Sequence, residues 1–334
     1  AVGLLEEAGL TVTVYEGTHE NPDEGDIEAA RDFAQRVEVD CIVGLGGGSS
    51  MDTAKGCNFL LTNGGSMADF KGYGHATKPM LPFIAVPTTA GTGSECQSYA
   101  VISCSGSHEK MACGDPKALA RVAILDPELT VSQPQQVATL TGLDALAHAL
   151  ETAVCTRRNP LSAVYSREAL LRISAGIESV LTGSADLDER NDMLLGAAFS
   201  GLAIENSMLG AAHASANPLT ARFGLVHGHA VALMLPHVLR FNREDHGAAA
   251  EYDHLTELLA RKGRTRMALQ DWVEHLLDLA GLPALSASGV TAEAIPELAE
   301  DATRQWTGNF NPRKLEQADF EGLYEAALGV GAKV

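Results

Sequence analysis

The chain has 334 residues, 46% of them hydrophobic, enough to bury a sizeable core, and its length favours two domains over one. Lys and Arg number 24 against 43 Asp and Glu, and the formal charge of -19 excludes nucleic acid and anionic membrane surfaces as partners, because both are recognised through positive charge. Six cysteines without CxxC spacing read as reduced, mostly buried small residues of a cytoplasmic protein, and no apolar run is long enough to cross a bilayer.

In chain order, AVGLLEEAG reads as the end of a helix stopped at Gly9, and LTVTVYEG (10–17) as a strand. A helix with an acidic first turn follows at 23–37. CIVGLGGG (41–48) begins as a strand, and its unalternated apolar run predicts cover on both faces. A helix at 49–63, a strand running into a Gly/Thr loop at 80–95 and a late strand at 120–130 complete an α/β pattern. Beyond Pro134 the pattern becomes helical: 137–157, 163–182, 187–204, an Ala/His-rich run after 206, 228–240, 249–259, 265–279, 292–306 and 316–328. The prediction is an α/β domain over 1–133 followed by an all-α domain over 134–334, with a cleft between them.

Two loops have the composition of a nucleotide site. In GLGGGSSMDTAK (44–55), three glycines after a strand let the backbone approach a ligand, and Ser49 or Ser50 can cap a helix whose N-terminus favours phosphate. The run is neither GxGxxG nor a Walker loop, since Lys55 lies too far into the helix. PTTAGTGSE (87–95) adds the hydroxyls of Thr88, Thr89 and Thr92 on a second glycine-bearing loop. Loops on sequential strands of one sheet are expected to converge at one edge, as a dinucleotide requires.

GLDALAHAL (142–150) sets Asp144 and His148 one helical turn apart in an apolar run. Alone, that spacing fits a buried salt bridge equally well. His213 and His227 downstream extend the pair to one carboxylate and three imidazoles, a donor set suited to Fe(II) or Zn(II) and poorly suited to Mg or Ca. His229 points away from His227 on any helix and reads as a structural histidine or a cleft residue, and His237 as structural. His19, His75, His108, His246, His254 and His275 have no ligand-like context.

Taken in order, GGGSSMDTAK, PTTAGTGSE, GLDALAHALE and HASANPLTARFGLVHGHAVALMLPHV resemble the iron-containing, group III alcohol dehydrogenase family over essentially the whole chain. The resemblance implies an N-terminal Rossmann-like dinucleotide-binding domain, lacking its first strand here, and a C-terminal helical metal and substrate domain, in a dehydroquinate synthase-like fold, with catalysis in the cleft of a homodimer. It implies Fe(II), or Zn(II), held by Asp144, His148, His213 and His227, and NAD or NADP against Gly46, Gly47, Gly48, Ser49, Asp52, Lys55, Thr88, Thr89, Thr92 and Lys110. The implied reaction is hydride transfer between a small alcohol and its aldehyde or ketone. Asn217 stands where many alcohol-active members carry a further histidine; it can orient substrate but cannot titrate. With His229 it is the candidate for contacts near the chemistry, and Asn311 and Arg313 in NFNPRKL are expected to be structural. Maleylacetate reductase, polyol dehydrogenase and dehydroquinate-synthase-like chemistry are the rivals within the superfamily. A nucleotide-binding protein with a structural metal is the rival outside it.

Overall fold

The first helices obey local rules. Helix α1 (Val2–Glu7) stops before Gly9, and α2 (Glu24–Arg36) starts at a reciprocal cap in which the Asp23 carboxylate accepts from the Asp26 N–H and the Asp26 carboxylate from the Asp23 N–H, both at 3.0 Å. This computed structural model describes residues 1–104 and 110–330, so His108 lies outside the described residues. Residues 10–17, expected as a strand, form no ladder. Most are exposed, and no strand among the described residues supplies the N–H and C=O partners that turn an alternating pattern into a sheet.

The next elements are β1 (Ile42–Gly46), α3 (Gly48–Asn63), β2 (Gly72–Tyr73), β3 (Phe83–Pro87), β4 (Tyr99–Ser103), β5 (Lys110–Gly114) and β6 (Val122–Ala123). They form two three-stranded sheets, in the orders β1-β3-β6 and β2-β5-β4. In the first, β3 and β6 run parallel, with Ile84 opposite Val122. The expected long strand at 120–130 shrinks to two residues because the Asp126 carboxylate caps a 3₁₀ turn at Pro127–Thr130, accepting from the Glu128 N–H at 3.0 Å. Strand β1 is not covered on both faces as its apolar run predicted: Val43 and Leu45 are 43% and 46% exposed, and within the strand only Gly44 is buried. The second sheet pairs β4 antiparallel with β5, Tyr99 opposite Gly114 through Ser103 opposite Lys110. Its buried face carries Ala100, Ile102, Met111 and Cys113 onto Ile27, Phe59 and Leu60.

The chain divides into two units, Ala1–Val86 with Ser98–Ile124, and Pro87–Gln97 with Leu125–Val334. The second unit is helical: α4 (Gln135–Thr152), α5 (Pro160–Leu181), α6 (Leu187–Glu205), α7 (Ala211–Phe223), α8 (His227–Asn242), α9 (His246–Arg261), α10 (Leu269–Ala280), α11 (Ile295–Thr303) and α12 (Gln317–Leu328). Side-chain caps start several of them: Asn159 before Pro160, Asp186, and Asp245. The predicted helix over 292–306 is interrupted, with 3₁₀ turns at Ala292–Ala294 and Trp306–Phe310 around a shorter α11. Helix α4 is the buried axis of this unit, packing on α5, α6 and α8 with nearly every residue from Ala138 onward out of solvent.

The loop Pro87–Gln97 packs within the helical unit, and its glycines make that packing fit. Gly93 has φ +62°, and a Cβ on it would stand 2.6 Å from the Ala197 carbonyl and 2.7 Å from the Gly201 backbone. Among the described residues no helix is long and apolar enough to cross a membrane. All six cysteines are free; Cys57, Cys113 and Cys155 are buried and Cys41 is exposed.

Candidate metal centre

Three helices bring the predicted donors together. Asp144 and His148 occupy successive turns of α4, His213 lies in the first turn of α7 and His227 opens α8. Helix α7 has no side-chain cap of its own. Its first N–H groups are met from elsewhere: Ala211 N donates to Asn311 Oδ1 at 3.3 Å and Ala212 N to Glu151 Oε1 at 2.6 Å. Asn311 is itself fixed by Asn242, donating to its Oδ1 at 2.7 Å, so the expected structural role of Asn311 is to seat the helix that carries His213.

The geometry is that of donors around a common centre. Three imidazole Nε2 atoms approach the same oxygen, Asp144 Oδ1: His213 at 3.4 Å, His148 at 3.6 Å and His227 at 3.9 Å. These separations exceed ordinary hydrogen bonds. Donors placed about 2.1 Å from a tetrahedral ion stand about 3.4 Å from one another. Asp144, His148 and His213 offer ligand atoms all within 4.8 Å of one another, all three residues are buried, and Asp144 Oδ1 and His213 Nε2 have no hydrogen-bond partner. Buried polar atoms left in that state are costly unless something absent from the polypeptide satisfies them. The donor set therefore fits a divalent cation with one oxygen and up to three nitrogen ligands, as Fe(II) or Zn(II) takes. His227 is at the margin, its side chain 25% exposed and its ring 5.4 Å from that of His213.

The electrostatics suit Asp144 and His148 to the same use, while His213 must give up a proton to ligate. Burial opposes ionisation of Asp144, but the adjacent imidazoles of His148, His213 and His227 hold its carboxyl well below the usual range, so it stays anionic. Burial pulls His148 below its ordinary value against the attraction of Asp144, leaving a neutral ring with a lone pair to give. Burial acts on His213 too, but the Glu151 and Asp144 carboxylates outweigh it and carry that group up to about 9. Glu151, buried with Oε2 2.5 Å from His213 Nδ1, is the residue that sequence reasoning missed. The available signal was its position seven residues after Asp144, on the same face of α4 as Asp144 and His148.

The remaining predicted residues fall in several places. Helix α3 starts at Gly48 with Gly47 in the cap position, so neither Ser49 nor Ser50 caps it; Ser49 Oγ accepts instead from Asn21 N at 3.3 Å. Gly46 has φ +146°, and a Cβ there would lie 2.3 Å from Ser50 Oγ, so this turn requires glycine. Asp52 is partly buried on α3, and Lys55 is fully buried, its ammonium donating to the Tyr99 carbonyl at 2.9 Å. Lys110 begins β5. Thr88, Thr89 and Thr92 lie in the loop of the helical unit, where Thr92 Oγ1 accepts from Ser94 N at 3.2 Å. Asn217, one turn beyond His213, donates to Gln305 Oε1 at 3.0 Å, and the His229 ring meets the Pro283 carbonyl at 2.8 Å. Neither belongs to the group around Asp144.

An α/β unit with a glycine turn after its strand and a helical unit with a buried carboxylate–imidazole group place the chain in the class of metal-binding proteins with a dehydroquinate synthase-like fold. Comparison with known proteins is more specific: the chain belongs to the iron-containing alcohol dehydrogenase family. The family model "Iron-containing alcohol dehydrogenase" matches residues 1–127, and its companion, "Fe-containing alcohol dehydrogenase family, C-terminal", matches 138–328. Alcohol dehydrogenase 4 of Schizosaccharomyces pombe is 32% identical over 97% of this chain and 77% of its own length. The NAD-dependent methanol dehydrogenase of Bacillus methanolicus is also 32% identical, over 97% and 86%. The crystal structure of a 1,3-propanediol oxidoreductase superposes with a TM-score of 0.90 at 30% identity, covering 98% of this chain and 87% of that one. The protein is a metal-dependent, NAD(P)-linked oxidoreductase of alcohols and aldehydes.

Proposed function

We propose that Asp144, His148, His213 and His227 hold one Fe(II), with Zn(II) as the alternative, and that the chain interconverts a small alcohol and its aldehyde or ketone with NAD or NADP. The observation that carries this reading is the convergence of three imidazole Nε2 atoms on the single oxygen of Asp144. When bound, the metal supplies Lewis acidity toward the substrate oxygen and the nicotinamide exchanges a hydride with the substrate carbon. Asp144 contributes the only negative charge among the four donors, and the three rings are neutral when they ligate. That balance leaves a divalent ion with net positive charge, as polarisation of a carbonyl requires.

On this reading residues 1–133 serve the nucleotide and 134–334 the metal and substrate. Gly46, Gly47, Gly48 and Ser49, at the uncapped start of α3, receive the pyrophosphate, because a helix N-terminus offers N–H groups and a favourable dipole to an anion. Asp52 and Lys110 are assigned to further cofactor contacts, as are the hydroxyls of Thr88, Thr89 and Thr92. The hydrogen bond from Lys55 to Tyr99 assigns that lysine to holding α3 against β4 beneath the cofactor loop. Asn217 and His229 are assigned to the substrate side. Asn217 cannot titrate, so its side chain would orient the substrate without carrying its proton. Relatives named for methanol and 1,3-propanediol support a small alcohol as substrate. The free thiols support a reducing, cytoplasmic location, and family membership a homodimer, which light scattering would test.

The decisive experiment reconstitutes the protein anaerobically with Fe(II) or Zn(II) and screens alcohols and aldehydes with both nicotinamides, following cofactor absorbance. Turnover that requires the metal is expected. Stoichiometric metal with no cofactor oxidation by any aldehyde would replace this reading with a structural metal.

A further inference from the structure

Glu151 makes two contacts that together constrain the chemistry of the neighbouring ring. Its Oε1 accepts from the Ala212 N–H at 2.6 Å and its Oε2 lies 2.5 Å from His213 Nδ1. The second contact is a hydrogen bond between carboxylate and ring, and a neutral ring that donates in it carries its one hydrogen on Nδ1. The other ring nitrogen, Nε2, is the one that faces Asp144 Oδ1 at 3.4 Å and has no hydrogen-bond partner. The same carboxylate anchors the first turn of α7, on which His213 rides, so it governs both where the ring is and which nitrogen carries hydrogen.

We propose that Glu151 is a positioning residue of the metal centre: it fixes His213 as the Nδ1–H tautomer, so that the Nε2 lone pair points into the group formed with Asp144 and His148. This rests on the reading of those residues as metal ligands. A carboxylate behind a ligating imidazole orients the ring and raises its basicity, and its loss costs about 10–100-fold in metal affinity.

Glu151→Gln is diagnostic because an amide has one oxygen for two N–H groups. If the oxygen serves Ala212, the amide NH₂ faces Nδ1 and drives the ring proton onto Nε2, where it blocks the metal. If it serves His213, the NH₂ opposes the Ala212 N–H and unseats α7. The test is Zn(II) affinity by chelator competition for wild type and Glu151→Gln, with thermal melts of both metal-free proteins and ¹⁵N-histidine NMR of Zn(II)-loaded wild type. A 10–100-fold weaker affinity in the variant, together with a proton on His213 Nδ1 in the wild type, is expected. Unchanged affinity overturns the proposal. So does a wild-type His213 without a proton on Nδ1, a result that stands even if the variant fails to fold. If wild type itself takes up no Zn(II) or Fe(II), the reading of the centre fails, not the role of Glu151 within it.

Discussion

Replacing Asp144 by Asn isolates the charge of the centre. The side chains are nearly isosteric, so the buried volume on α4 is unchanged, while the one anionic donor among four becomes a neutral amide. Four-ligand protein sites bind Zn(II) with about 10–16 kcal/mol in total, or about 2.5–4 kcal/mol per ligand if shared equally. Three rings converge on Asp144 Oδ1 at 3.4 to 3.9 Å, so this oxygen should contribute at least an equal share. Metal affinity in Asp144→Asn should therefore fall by about 10²–10³-fold, at 1.4 kcal/mol per tenfold. The assay is anaerobic dialysis against graded chelator with metal analysis, alongside metal-supplemented turnover and equilibrium dialysis of the nicotinamide cofactor. Metal and turnover should be lost together while the nucleotide still binds. A variant that retains stoichiometric metal at wild-type affinity and turns over normally would refute the assignment of Asp144.

Three further outcomes are expected. Gly93→Ala should destabilise the protein by about 2–5 kcal/mol in urea, because a left-handed backbone costs roughly 1–2 kcal/mol and overpacking against the Ala197 carbonyl and Gly201 roughly 1–3 more; a variant within 0.5 kcal/mol, about the size of an ordinary surface change, would show that the loop gives way freely. Asn217→His, one turn beyond His213, should add an inflection to the pH–rate profile, and an identical profile would show that this position does not communicate with the chemistry. Burial pushes the Cys57 thiol up to about 11 from an unfolded value of 9.0. Below pH 9 both states largely keep that proton; above it the unfolded state releases it first, so stability should fall by about 2 kcal/mol as pH rises from 9 to 11. Urea melts across that range should show a shallower fall in Cys57→Ala, and equal slopes would remove this explanation.

What could be read from the sequence was whatever local chemistry dictates. The acidic first turn of the helix at 23–37, the helix over 187–204 and the change from α/β to helical pattern near Pro134 all rest on neighbouring residues, whereas the helices expected at 163 and 249 begin earlier, at Pro160 and His246, behind the caps Asn159 and Asp245. The four donors were legible because a carboxylate and histidines in apolar runs demand compensation. The failures share one cause, dependence on partners distant in the chain. LTVTVYEG has the alternation of a strand but no ladder to join, whereas YAVIS, at 99–103, becomes β4 because β5 lies beside it. The glycines of PTTAGTGSE read as freedom to wrap a nucleotide, yet Gly91 abuts Thr141 and Gly93 abuts Gly201, so they are also the condition for close packing on α4 and α6.

Helix α4 shows why the site and the fold are hard to separate. Asp144, His148 and Glu151 form a polar stripe on a helix otherwise buried in apolar neighbours, and a stripe of that kind is a burden on a core unless each member has a partner. Glu151 finds its partners in the first turn of α7, and through them α4 fixes the position of His213. Asn311 reinforces the same turn from 100 residues away. The donors on α4 and the donor on α7 are thus held in register by hydrogen bonds within the polypeptide itself. A centre built this way should bind metal with little rearrangement of its helices, and its affinity should respond to changes at Glu151 as well as at the four donors themselves.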